Sequence, residues 1–169
     1  ATMSPVFRRW GYGVHAPPLS ATGSTESWQR RPSRHVGARD VDVWLPPGYG
    51  SEPQRRYPVL YMHDGQNLFD PALGYTGVDW DIDGAMTRLI DAGEIREAIV
   101  VGVWNTPQRF AEYMPKAPVR TEMVGSGIEG RAIGRADDIR SDEYLRFLVE
   151  ELKLFVDARY RTLPGRDDT

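Results

Sequence analysis

Tyr57-Pro-Val-Leu-Tyr-Met-His-Asp-Gly-Gln-Asn-Leu-Phe-Asp70 reads as a strand that runs straight into a tight turn. Pro58 can open a strand but not occupy its middle. Val59-Leu60-Tyr61-Met62 is apolar without polar alternation, the pattern of a parallel strand covered on both faces. His63-Asp64-Gly65 then breaks the run. Gly65 permits a backbone turn closed to most other residues, and two successive N–H groups in such a turn can point at one oxygen and stabilise a developing oxyanion. The same residues also suit an ordinary strand-end turn capped by Asp64.

Working outward, a first strand is expected over Ser24 to Arg30. Arg39-Asp-Val-Asp-Val-Trp-Leu45 alternates with period two, which marks a strand with one more polar face, and Pro46-Pro47-Gly48 stops it. Asp79 to Ala92 places Ile82, Met86, Leu89 and Ile90 at helical spacing, with Gly93 as the C-terminal stop. Ala98 to Val103 reads as a second buried strand. Asp142 to Val156 reads as an amphipathic helix with Leu145, Leu148, Val149, Leu152 and Phe155 on its apolar side. Strands alternating with helices imply an α/β fold with a mainly parallel sheet flanked by helices. Residues 1–23, with Pro17-Pro18 among aromatics and small residues, read as an irregular extension, and residues 24–169 as the folded domain.

Between Trp104 and Ser141 the pattern becomes irregular and includes the glycine-rich stretch Val124 to Gly134. In parallel α/β sheets the loops after strand C-termini form the ligand crevice, and a long loop in a compact domain is functional or disordered. Trp104, Asn105 and Tyr113 are therefore candidates for a pocket wall, or else aromatics that merely pack. Arg109 and Glu112 read as an ion pair that staples the loop.

Composition narrows the classes. At 169 residues and 40% hydrophobic content, one domain can bury about 70% of its unfolded surface. The net charge of −3, with the basic pairs Arg30-Arg31 and Arg55-Arg56 scattered rather than striped, argues against a nucleic-acid or anionic-membrane partner. No apolar run approaches the length of a membrane span. Cysteine is absent, which removes disulfides, zinc-thiolate sites and a cysteine nucleophile. The chain opens Ala-Thr-Met without a signal-peptide pattern. The reading is a soluble chain, with the cytoplasm preferred to secretion. Neither a cofactor nor a metal is expected.

Several motifs occur in order. They are Val43-Trp-Leu-Pro-Pro-Gly-Tyr49, the stretch 57–70, Ile99-Val-Val-Gly-Val-Trp-Asn105, Arg109 with Glu112-Tyr-Met-Pro115, and Tyr144-Leu-Arg-Phe-Leu to Tyr160-Arg-Thr162. In sequence and spacing the chain resembles the Putative esterase (esterase D-like) family of α/β-hydrolases over roughly Arg39 to Arg166. The resemblance implies a serine carboxylic ester hydrolase with a small-molecule ester as substrate. By their place in the Asp-Gly-x turn, Gln66 and Gly65 would supply oxyanion-binding N–H groups. Asp64, Asn67, Asp79 and Trp80 would line the site with Trp104, Asn105 and Tyr113 if the loop from Leu68 to Val78 folds back. Aromatics and carboxamides there suit a polar, sugar- or polyol-bearing ester.

The family also implies a Gly-x-Ser-x-Gly elbow followed by an acid and a histidine. Gly125-Ser126-Gly127 has the wrong spacing for that elbow, and His15, His35 and His63 all lie upstream of its expected place. The expectation is therefore an N-terminal half of an α/β-hydrolase domain, inactive without a downstream segment. The strand 59–62 would then be an edge, available to a complementary C-terminal half or to a second copy. The rival expectation is a noncatalytic binding module on the same scaffold.

Asp79-Trp-Asp-Ile-Asp-Gly84 matches the opening of a calcium loop, but Ile90 stands where the closing bidentate Glu belongs. Capping and the helix dipole account for acidic residues in a first helical turn.

Overall fold

The structure, a computed structural model, describes residues 23–115 and 138–169. The expected extension, apart from Gly23, and the glycine-rich stretch with Ser126 lie outside the described residues. Chain contacts divide the molecule into two compact units, one formed by 23–32, 38–105 and 156–169, the other by 33–37, 106–115 and 138–155.

The first unit holds a four-stranded sheet of β1 (Ser24–Arg31), β2 (Arg39–Leu45), β3 (Val59–His63) and β4 (Ile99–Val103), in the order β1-β2-β4-β3. Only β3 and β4 run parallel; β1 with β2 and β2 with β4 are antiparallel. This corrects the expectation of a mainly parallel sheet. The connection over 32–38 is too short for a crossover and returns β2 antiparallel, whereas β3 reaches β4 through helix α1 (Ile82–Asp91), the kind of crossover parallel strands need.

β4 is buried at every position, and its Ile99, Val100, Val101 and Val103 form the centre of the core with Val41, Val43 and Trp44 of β2. β2 has no solvated face, contrary to its alternating sequence. As an inner strand it is covered on both sides, and even Asp42 is only 5% exposed. β3, by contrast, is not the fully covered strand its apolar run suggests. It occupies the sheet edge, where Leu60 is 45% exposed and His63 is open to solvent.

α1 ends where Gly93 adopts φ +70°, with Glu94 N–H donating to Leu89 O and Gly93 N–H to Ile90 O. This Schellman arrangement needs a left-handed residue after the helix and explains the glycine. Among the described residues no helix is long and apolar enough to cross a membrane.

The second unit contains α2 (Arg109–Tyr113) and most of a helical segment built from α3 (Ser141–Arg146), a π-helical turn (Phe147–Leu152) and α4 (Lys153–Arg159). Arg109 stacks its guanidinium over the Tyr113 ring at 5.0 Å, Tyr113 packs on Tyr144 at 5.3 Å, and Arg140 N–H donates to Ala111 O. His35 and Glu150 are 3.1 Å apart, and Arg34 pairs with Glu151.

The apolar side expected for the long helix is corrected. Leu145 and Val149 are 56% and 63% exposed, while Tyr144, Phe147, Leu152 and Val156 are buried. The π turn inserts a five-residue step between Phe147 and Leu152, which shifts the phase that a uniform 3.6 period assumes.

Candidate active site

β3 delivers the chain into a turn whose geometry is set residue by residue. Asp64 adopts the left-handed conformation, φ 56° and ψ 42°, and Gly65–Asn67 form a single 3-10 turn. Asn67 N–H donates to Asp64 O at 2.9 Å and Leu68 N–H to Gly65 O at 3.2 Å. The unusual backbone therefore belongs to Asp64, not to Gly65 as the sequence suggested. Aspartate is among the few non-glycine residues that tolerate it. Gly65 is small for another reason: a Cβ there would lie 2.5 Å from the carbonyl carbon of Gly102 on β4. At Gly102 a Cβ would meet Leu68 Cδ1 at 2.8 Å and Gly65 Cα at 3.2 Å. The turn thus lies backbone against backbone on the buried central strand. Among the described residues, neither the Gly65 nor the Gln66 N–H has an acceptor.

The end of β4 holds the turn from the side. Asn105 Nδ2 donates to Asp64 Oδ1 at 2.6 Å, and Asn105 N–H donates to Gln66 Oε1 at 3.2 Å. Trp104, one residue earlier, is fixed by its own N–H to Asp40 O at 3.1 Å and by its indole Nε1 to Asp42 Oδ2 at 2.6 Å. Burial pushes the Asp42 carboxyl above its ordinary range, hydrogen bonds from Ser27 and Trp104 oppose that shift, and the nearby Asp40 charge adds to it.

Past the turn, Leu68 is fully buried and the chain makes a loop closed at its neck. Trp80 N–H donates to Asn67 O at 2.7 Å, Ile82 N–H to Leu68 O at 3.1 Å, and Tyr75 N–H to Asn67 Oδ1 at 3.0 Å. Asn67 is therefore the post on which the loop is hung, and Trp80 sits beside it half exposed. Asp79 immediately precedes Trp80 in the chain. Of the residues expected at the site, Asp64, Gly65, Gln66, Asn67, Asp79, Trp80, Trp104 and Asn105 all fall in the first unit, and Tyr113 in the second.

Gly102 and Asp42 were not anticipated. A glycine inside Ile99-Val-Val-Gly-Val103 was the available signal, because glycine in a strand interior marks close backbone approach.

The acidic run at 79–83 is engaged within the fold. Asp81, itself left-handed at φ 49°, precedes α1 and pairs with Arg88 at 2.9 Å. The Asp83 carboxyl is raised by burial, with backbone N–H groups opposing. Among the described residues no group of three or more His, Cys, Asp or Glu side chains is placed to hold a metal.

The sequence model of the family described as Putative esterase matches residues 34–168. No curated protein matches. Among solved structures the chain is similar to an IroE-like serine hydrolase from Shewanella oneidensis, with 26% identity and a TM-score of 0.60 over 82% of this chain and 39% of that one. It shares its fold with an uncharacterised protein from Capnocytophaga ochracea, at 19% identity and a TM-score of 0.50 over 82% of this chain and 30% of that one. A CE1 ferulic acid esterase from Anaeromyces mucronatus aligns over 94% of this chain and 49% of its own at 19% identity, with a TM-score of 0.49. The chain spans less than half the length of each of these structures. The family match takes in β2, β3, β4 and the turn between Asp64 and Asn67, and on that match the chain belongs to the Putative esterase family.

Proposed function

We propose that the 64–67 turn is the oxyanion-binding part of a serine carboxylic ester hydrolase. The observation that carries this reading is the pair of adjacent N–H groups, Gly65 and Gln66, which have no acceptor among the described residues and sit on a turn packed against β4. Such donors stabilise charge that develops only in the transition state, so they raise turnover rather than substrate affinity.

In this mechanism a serine oxygen attacks the ester carbonyl as a histidine takes its proton. The former carbonyl oxygen becomes the oxyanion that Gln66 N–H, with Gly65 N–H, would hold. Collapse expels the alcohol, protonated by the same histidine, and water then releases the acid by the reverse sequence. Family membership and the 26% identity to a serine hydrolase support serine as the nucleophile. The serine, histidine and acid would come from a segment beyond these residues, seated along the open edge of β3, with a second copy of the chain as the alternative occupant. A polar sugar- or polyol-bearing ester would suit the Asn67 carboxamide and the half-exposed Trp80 indole, with Asp79 next to Trp80 in the chain.

The test is a pair of substitutions in an ester-hydrolysing protein that contains this chain. Gln66→Pro removes the proposed donor and is expected to lower kcat by about 10²–10³. Gln66→Ala keeps the N–H and loses only the bond from Asn105, a difference of about 1 kcal/mol. Equal losses from the two variants, with folding verified, would overturn the backbone-donor reading.

A further inference from the structure

Aspartate tolerates the left-handed conformation but pays more for it than glycine, because Cβ is crowded, so contacts from outside the turn help to hold it. The 3-10 turn that follows is one turn long, with Asn67 N–H donating to Asp64 O and Leu68 N–H to Gly65 O. Asn105 meets this need from a rigid place. It follows the fully buried β4 by two residues, and Trp104 between them is tied to Asp40 and Asp42. Two of the hydrogen-bond donors of Asn105 point into the turn: Nδ2 at the Asp64 carboxylate and the backbone N–H at Gln66 Oε1.

We infer that Asn105 is the positioning residue of the 64–67 turn, locking Asp64 and Gln66 from opposite ends so that the N–H groups of Gly65 and Gln66 stay aimed together. The inference deepens the oxyanion reading and rests on it for its catalytic meaning. It also changes the role first expected for Asn105, from a wall that touches substrate to a brace that touches the turn. The chemistry accounts for the residue type: aspartate at 105 would set two carboxylates against each other, and alanine would remove the Nδ2 donor from the carboxylate of a residue that is 9% exposed.

Three variants test it: Asn105→Ala, Asn105→Asp, and the reciprocal pair Asn105→Asp with Asp64→Asn, which reverses donor and acceptor and keeps a residue at 64 that tolerates the left-handed backbone. In the 169-residue chain, hydrogen exchange at the Asn67 and Leu68 amides is expected to quicken about tenfold or more in the single variants and to recover in the reciprocal pair. Unchanged exchange in both single variants would overturn the inference, as would a reciprocal pair that folds or protects the turn no better than Asn105→Asp alone. In an ester-hydrolysing protein containing the chain, the single variants are expected to lower kcat on p-nitrophenyl acetate about tenfold or more with KM little changed, and the reciprocal pair to restore it. Loosened amides with kcat intact would leave Asn105 as the brace of the turn and overturn the oxyanion role proposed for the turn itself.

Discussion

At Gly65 and Gly102 two backbones occupy space that side chains normally fill, and the obstacle each presents to the other cannot rotate away. The sequence showed that the chain must turn after His63, because Asp-Gly after an apolar run is a turn signal. It did not show which of the two residues carries the left-handed backbone, because aspartate and glycine both tolerate it and only the packing of Gly65 on β4 assigns the roles. Asp42 was equally hidden. A carboxylate in an alternating strand reads as solvent-facing, and only the sheet order buries it. Its pKa direction yields a signed prediction. The folded form holds the Asp42 proton to higher pH than the unfolded chain, whose value is near 3.8, so the fold loses stability as pH rises through that window and carries no such penalty below it. Asp42→Asn removes the titration and keeps an acceptor for Trp104. Relative to the parent chain, its urea midpoint is therefore expected to shift progressively in the variant's favour as pH rises above about 4. A difference that stays flat or moves the other way would show that the Asp42 charge is compensated.

Elements were legible in proportion to how regular they are. β2 was placed residue for residue, and α1 and its Gly93 stop came from spacing and one glycine. The long helix was recognised but rotated wrongly, because Leu145 and Val149 fit a smooth period and the π turn breaks it. Substitution can read this phase directly. Phe147→Ala empties a fully buried position and is expected to cost about 3–5 kcal/mol, whereas Val149→Ser on the exposed side stays within about 0.5 kcal/mol. Equal costs in chemical denaturation would restore the uniform-helix reading.

For the whole molecule, the order β1-β2-β4-β3 puts the most informative strand at the margin of the sheet. Among the described residues no strand pairs with its outer edge, and an unpaired, largely apolar edge recruits another strand. The chain is therefore expected to run above its monomer mass, or with a second polypeptide, in size-exclusion chromatography with light scattering. Exchange at residues 59–63 should slow when that partner is present. A clean monomer with these amides already protected would refute the open-edge account. The family was legible because its motifs are contiguous; the brace of the turn was not, because Asn105 and Asp64 are joined only by the parallel pairing of β3 with β4. The sheet margin is already touched once. Tyr57 forms a parallel bridge with Thr162, with Tyr57 N–H donating to Arg161 O and Leu163 N–H to Tyr57 O, while the Arg161 guanidinium lies 4.0 Å over the Tyr49 ring. Viewed along the chain, this contact closes a long loop within the first unit, and Trp28 Nε1 donating to Tyr160 Oη closes a longer one. Entropy of closure rises with the chain between the partners, so both contacts are expected to form after the local β1–β2 hairpin. The chain after α4 is thus moored to the sheet at two places, to β1 through the Tyr160 hydroxyl and beside β3 through Thr162.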